Sequence, residues 1–202
     1  SCFFFFFRVN LIGEHTDYNG GHVFPCALTI GTYAVARKRN DRMLQLYSMN
    51  FENEGVIGVS LDDMVNRPEQ LWANYPIGVL KTLTEAGYTV DCGMDILYNG
   101  TIPNSSGLSS SASIEVLTAF IAKCFFGLEL DFVEISKLTQ KAENQFIGVN
   151  CGIMDQFAIA MGKKDHAIFL DTADLSYTYA PIALEGMKLV IACSNKKRGL
   201  GD

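Results

Sequence analysis

Apolar and polar residues alternate along much of the first hundred residues and then change to a helical spacing, and this change sets the expected architecture. Ile30 to Lys38 is rich in β-branched and aromatic residues, and Met43 to Met49 places Leu44 and Leu46 on one face with Gln45 between them. Met94 to Ile102 sets Met94, Ile96 and Tyr98 against Asp95, Asn99 and Thr101. All three stretches read as strands. Between them, Trp72 to Ala86 carries Trp72, Tyr75, Val79, Leu80 and Leu83 at helical spacing, with Pro76 tolerable only in the first turn. Beyond Pro103, Ser110 to Phe126 puts Ile114, Leu117, Ile121, Cys124 and Phe125 on one helical face, and Asp131 to Phe146 does the same with Phe132, Ile135, Leu138 and Ala142. A short helix is expected from about Gly152 to Met161, then strands at Ala167 to Leu170 and Lys188 to Ala192. Strands first and helices later, without regular βαβ alternation, indicate an α+β sandwich. No internal repeat or linker-like stretch divides residues 1–202, so one domain is expected.

Composition supports a packed core: 49% of the 202 residues are hydrophobic and 19% charged, which is globular and not disordered. A net charge of −6 argues against a nucleic-acid partner or an anionic membrane surface, but not against a small anion held at a local positive site. No apolar run approaches the length of a membrane span. The six cysteines form no C-x-x-C pair and mostly sit in apolar runs, as buried free thiols of a cytoplasmic protein do. The Phe3–Phe7 run is too short for a signal peptide and lacks its basic flank. The last nine residues, Ser194 to Asp202, add no closing element, so the chain is expected to be one domain of a longer protein.

Chemistry concentrates in Arg8-Val9-Asn10-Leu11-Ile12-Gly13-Glu14-His15-Thr16-Asp17-Tyr18-Asn19-Gly20-Gly21. A guanidinium, an imidazole, two carboxylates, a phenol and two amides surround a short apolar strand core. Fold stability does not call for such a density, because buried polar groups cost free energy unless paired. A ligand with many hydroxyl or phosphate oxygens is the natural partner.

A second stretch, Pro103-Asn104-Ser105-Ser106-Gly107-Leu108-Ser109-Ser110-Ser111-Ala112-Ser113, joins a strand to a helix. Small residues let backbone approach a ligand, the helix start offers unpaired N–H groups, and hydroxyls of Ser109, Ser110 and Ser111 add donors or a Mg²⁺ ligand. The Walker A spacing is absent, and by itself the stretch reads more simply as a serine helix cap. A third stretch, Asn150 to Gln156, places Asp155 in a first helical turn, where an acid is often only a dipole partner. Glu143 lies at the border of its helix's apolar stripe, either at the rim or leaning inward toward a partner such as a metal ion. His22 and His166 lack zinc-ligand spacing, and Lys196-Lys197-Arg198 reads as a solvated run.

Together these stretches resemble a known family. Arg8 to Asn19 resembles the galactokinase signature, and Gly107-Leu108-Ser109-Ser110-Ser111-Ala112 resembles the phosphate loop of the GHMP kinase superfamily. Cys151-Gly152-Ile153-Met154-Asp155-Gln156-Phe157, with Gln140-Lys141-Ala142-Glu143 upstream, is similar to the galactokinase catalytic segment. The resemblance runs in order from Arg8 onward; it departs at Phe6-Phe7, where relatives carry Pro-Gly.

The fold this resemblance implies is the GHMP kinase N-terminal α+β domain, ribosomal protein S5 domain 2-like, with a mixed sheet backed by helices. The activity it implies is ATP-dependent phosphorylation of α-D-galactose at the C1 hydroxyl, with Mg²⁺. By the same match, Asp155 is the catalytic aspartate facing that hydroxyl, with Arg8 as the cation beside it. Glu14, His15, Asp17 and Gly152 hold the sugar. Ser105, Ser106, Gly107, Leu108, Ser109, Ser110 and Ser111 form the ATP loop, Ser48 and Trp72 lie near the base, and Ser111 and Glu143 bind Mg²⁺. A C-terminal domain, which the chain lacks, is expected to close the cleft. Two other readings stay open: a kinase of N-acetylgalactosamine or another sugar, and a non-catalytic sensor of galactose and ATP. The intact Ser111-Ala112 favours catalysis.

Overall fold

Alternating burial along four strands builds one wall of the molecule, and the helices pack on that wall. A computed structural model of the chain describes residues 1–101 and 109–192. Its strands are β1 (Cys2–Asn10), β2 (His22–Val23), β3 (Pro25–Lys38), β4 (Met43–Ser48), β5 (Ile57–Ser60), β6 (Met94–Gly100), β7 (His166–Asp171) and β8 (Tyr177–Pro181). Its helices are α1 (Asn74–Glu85), α2 (Ser110–Phe126), α3 (Phe132–Lys141) and α4 (Met154–Ala160). Five strands form a sheet in the order β1-β3-β6-β4-β5, antiparallel except for the parallel pair β4–β6. A smaller antiparallel sheet runs β2-β7-β8. This is the α+β architecture with a mixed sheet that the sequence leads one to expect.

The inward faces follow the two-residue period of a strand. Phe5 on β1, Ala34 and Ala36 on β3, Leu44 and Leu46 on β4, and Met94 and Ile96 on β6 are all buried in one core with Ile77, Leu80 and Leu83 of α1 and Val116, Leu117 and Ile121 of α2, while the buried Phe7 lines a cavity beside it. At one end of the sheet the inward face turns polar. There Thr32 pairs in register with Gly100, and Ser48 with Tyr98. The Ser113 hydroxyl donates to Thr32 Oγ1 at 3.0 Å, fixing the first turns of α2 over this end. A second, smaller core of Val23, Ile153, Met154, Phe157, Ile168 and Leu170 joins α4 to the small sheet.

The phenylalanine run is an integral strand. Phe3 meets Phe120 and Phe125 edge-on, and Phe5 meets Phe120 at 5.1 Å, all on α2. Phe4 and Phe6 lie on the other face, where Phe4 packs on Tyr33. Gly31 sits where a Cβ would fall 1.9 Å from the Phe5 carbonyl oxygen, so β1 and β3 approach there only because the side chain is missing. Just beyond, Phe6 pairs with Gly31 but Arg8 with Ala27, two steps on β1 against four on β3. This irregularity separates the aromatic half of β1 from its chemical half.

Several expected elements change on inspection. Trp72 lies in a 3₁₀ turn (Pro68–Ala73) ahead of α1, so Pro76 falls in the first helical turn, where its missing N–H costs nothing. The helix expected to Phe146 is α-helical only to Lys141 and continues as a π-turn, Ala142–Ile147. β8 was not anticipated; its short Tyr-Thr-Tyr alternation is ordered by pairing with β7. The strand expected at Lys188 to Ala192 does not form. These residues pair with no strand among the described residues, and Val190 is 83% exposed. Cys26 is buried as expected, but Cys2 and Cys124 are exposed; all five described cysteines are free thiols. Cys193 and the Lys196–Arg198 run lie outside the described residues. Among the described residues, no helix is long and apolar enough to cross a membrane.

Because Leu46 is wholly buried between the sheet and the helices, Leu46→Ala is expected to cost about 2–5 kcal/mol of unfolding free energy. Val56→Ala, at a site 61% exposed, is expected to change it by less than about 0.5 kcal/mol. Urea unfolding monitored by circular dichroism measures both; equal losses would contradict this placement of the core.

Candidate functional site

Three segments remote in sequence converge on one carboxylate. Arg8, at the end of β1 past the register change, donates from Nε to Asp155 Oδ1 at 2.7 Å. Ser109, just before α2, donates from Oγ to Asp155 Oδ2 at 2.5 Å. Asp155 lies in the first turn of α4. Side-chain exposures of 14% for Arg8 and 30% for Asp155 leave the pair mostly buried, with an edge at a surface a ligand can reach.

The loop from β1 to β2 supplies the next groups. Gly13 adopts φ +100°, and a Cβ there would strike the His22 carbonyl oxygen at 2.5 Å; Thr16 closes the loop by donating to the carbonyls of Gly13 and His22. Asp17 then reaches α4, where its Oδ2 accepts from the Met154 N–H at 3.3 Å. Its carboxylate fills the space over Gly152, where an added Cβ would lie 2.0 Å from Oδ2. Glycine at 152 is therefore what lets Asp17 dock beside Asp155. Glu14 and His15 are exposed and hold partners within their own loop, Asn10 Nδ2 at 2.8 Å and the Tyr18 hydroxyl at 2.9 Å.

Beside this surface opens a cavity of about 220 Å³ at the polar end of the large sheet. Ser48, Trp72, Ser110 and Ser111 all line it, as do Tyr75 and Tyr98. The indole N–H of Trp72 is buried and finds no partner among the described residues. Ser105, Ser106, Gly107 and Leu108 lie outside the described residues.

Behind the cavity lies a buried acidic pair. The π-turn rolls Glu143 inward until it is 2% exposed, and Glu115 of α2 is fully buried. The side-chain amide of Gln156 donates to both, at 2.6 Å to Glu143 and 3.2 Å to Glu115. Burial pushes the Glu143 carboxyl above its ordinary range, an effect partly offset by the neighbouring Ser111 hydroxyl. Burial, reinforced by the charge of Glu143, pushes Glu115 well above its own ordinary range. Tyr75 rises to about 12 through burial and the nearby Glu143. Sequence reasoning passed over Glu115 and Gln156. The available signal was a lone carboxylate in the apolar α2, four residues and one helical turn after Ser111.

Ser111 and Glu143 thus meet, but among the described residues no three His, Cys, Asp or Glu side chains are grouped to hold a metal ion. One carboxylate and one hydroxyl suit Mg²⁺, which keeps several waters and takes phosphate oxygens as ligands.

The fold agrees with comparisons to known proteins. Residues 74–163 match the GHMP kinases N terminal domain, and residues 8–38 match the galactokinase galactose-binding signature. A galactokinase of Fusobacterium nucleatum is 60% identical over 195 residues, covering 96% of this chain and 50% of the relative. The chain belongs to the galactokinase family of GHMP kinases. A Clostridium beijerinckii galactokinase is 58% identical over all 202 residues and 52% of its own length. The solved structure of Lactococcus lactis galactokinase complexed with galactose superposes with a TM-score of 0.88 at 49% identity, over 91% of this chain and 47% of that one. Methanococcus jannaschii mevalonate kinase shares the fold, with a TM-score of 0.72 at 22% identity, over 91% of this chain and 56% of that one. The chain spans about half the length of the curated galactokinases it matches.

The buried acids give a stability test. Because the folded state raises the Glu115 pKa above its ordinary value of 4.5, the folded chain holds a proton that the unfolded chain has released, and stability falls as pH rises above about 4.5. Glu115→Gln keeps the shape and the acceptor for Gln156. It is expected to raise the urea midpoint at pH 7, with the advantage shrinking toward pH 4. An advantage that does not change with pH would contradict this.

Proposed function

We propose that this chain provides the N-terminal half of a galactokinase that transfers the γ-phosphoryl group of ATP to the C1 hydroxyl of α-D-galactose, yielding galactose 1-phosphate and ADP. The observation that carries this reading is the Arg8–Asp155 pair set beside the Asp17–Gly152 contact: a carboxylate held by a cation, next to polar groups on a surface open to solvent. Phosphoryl transfer depends mainly on positioning and charge stabilisation. Asp155 accepts the proton of the sugar hydroxyl, and Arg8 stabilises negative charge building on the transferred group. Glu14, His15, Asp17 and the backbone at Gly152 hold the other sugar hydroxyls. A wrong epimer leaves some of these groups unpaired, which is a strong basis for discrimination.

The cavity lined by Ser48, Trp72, Ser110 and Ser111 receives the nucleotide, and the unpartnered Trp72 indole supports that assignment. Ser105, Ser106, Gly107 and Leu108, which lie outside the described residues, are assigned to the same ATP-binding segment. Ser111 and Glu143 would hold Mg²⁺, which would offset the negative charge of the phosphates. A C-terminal domain completes the cleft, and the protein acts in the cytoplasm.

In the full-length protein, Asp155→Ala is expected to lower kcat by about 10²- to 10⁴-fold while leaving the galactose Kd, measured calorimetrically, within a few-fold of wild type. Wild-type kcat in this variant would remove Asp155 from the chemistry.

A further inference from the structure

Ser109 stands out because it gives up both of the usual advantages of a serine at a helix start. Its backbone lies in the left-handed region, φ +61° and ψ 51°, a conformation that favours glycine and is uncommon for other residues. Serine is also among the best N-cap residues, yet here its side chain makes no capping hydrogen bond to α2. The hydroxyl is instead turned across to α4, where it donates to Asp155 Oδ2 at 2.5 Å. Such strain persists only when surrounding contacts over-determine it, and here the contact is to the proposed proton acceptor.

The geometry makes this contact more than a local filler. Arg8 Nε engages Oδ1 of Asp155 and Ser109 Oγ engages Oδ2, so each carboxylate oxygen has its own anchor. A carboxylate oxygen has more than one acceptor direction, so a hydroxyl can still approach either one. Two anchors on different oxygens fix the rotation of the carboxylate plane, which one anchor does not. The first turn of α2 is itself tied down by the Ser113 hydroxyl, which donates to Thr32 on β3 and to the Phe5 carbonyl on β1. The carboxylate is thereby referenced to the sheet from two sides, through Arg8 on β1 and through Ser109 at the foot of α2.

We infer that Ser109 is a positioning residue for Asp155, setting the orientation of its carboxylate toward the sugar hydroxyl, and not a phosphate ligand as its place in the serine loop suggests. This rests on the reading of Asp155 as the proton acceptor. Ser113, Ser111 and Ser110 then divide the remaining work of the segment: Ser113 anchors the helix, while Ser110 and Ser111 face the cavity.

Ser109→Gly tests the inference, because glycine adopts the same backbone without strain while losing the hydroxymethyl group that anchors Asp155. The readouts, in the full-length protein, are kcat, KM for ATP, Kd for galactose and Tm, with Asp155→Ala measured in parallel. The expected result is a kcat lower by about 10- to 100-fold, the scale on which small misplacements act, with ATP KM and galactose Kd within about twofold and Tm not reduced. A raised ATP KM at wild-type kcat would make Ser109 a phosphate ligand and overturn the inference. A lowered Tm accompanied by losses in every parameter would make its role structural and overturn it too. Loss in Asp155→Ala with wild-type kcat in Ser109→Gly overturns positioning alone, whereas normal turnover in Asp155→Ala removes the underlying reading as well.

Discussion

The hydrogen-bonded ion pair between Arg8 and Asp155 is the constraint on which the site depends. The two residues are 147 positions apart, and neither partly buried charge is well placed without a partner. Bringing them together requires β1 to change register against β3 at the right step, so that Arg8 leaves the aromatic half of the strand. It also requires α4 to start where its first turn faces β1. The second condition is met by the contact of Asp17 with Gly152 and Met154, and by the small core around Phe157 that holds α4 to the minor sheet. The minor sheet is therefore part of the scaffold of the candidate site.

The large sheet does different work. Its apolar inward face supplies the core, and the same face turns polar at one end, where Thr32, Ser48 and Tyr98 meet the start of α2. One strand pattern thus builds both a core and a cavity, with chemistry confined to the strand ends. Behind the cavity, the cost of burying Glu115 and Glu143 is met in part by a single amide, Gln156, whose two N–H donors serve both carboxylates. Gln156 follows Asp155 directly, so one helical turn carries both the proposed proton acceptor and the clamp on the proposed metal ligand.

Much of this was legible in the sequence, and the exceptions have physical causes. The face of α3 and the strands β4 and β6 follow from periodicity because their burial is one-sided, whereas α1 and α2 are buried nearly all round, so the pattern marked only part of each, and Cys124 of the expected α2 face is exposed. Lys188 to Ala192 has strand-like composition but no pairing partner among the described residues, and composition does not supply hydrogen bonds. The π-turn at Glu143 leaves no periodicity signal, since it comes in the last turn, at Ala142–Ile147, where too few residues follow to register a change of period. Ser109 was legible as a loop serine, but its rotation toward Asp155 depends on a contact 46 residues away. The family resemblance groups Glu14 and His15 with Asp17, whereas among the described residues Asp17 hydrogen-bonds to α4 and the other two to Asn10 and Tyr18.

A double-mutant cycle tests the central claim most directly. The single-turnover rate of phosphoryl transfer is compared among the full-length protein, Arg8→Gln, Asp155→Asn and the double variant. If the pair acts as one unit, the double variant is scarcely slower than the worse single variant, a coupling on the order of 1–3 kcal/mol. Losses that simply add would show that Arg8 and Asp155 act independently, and would contradict the account.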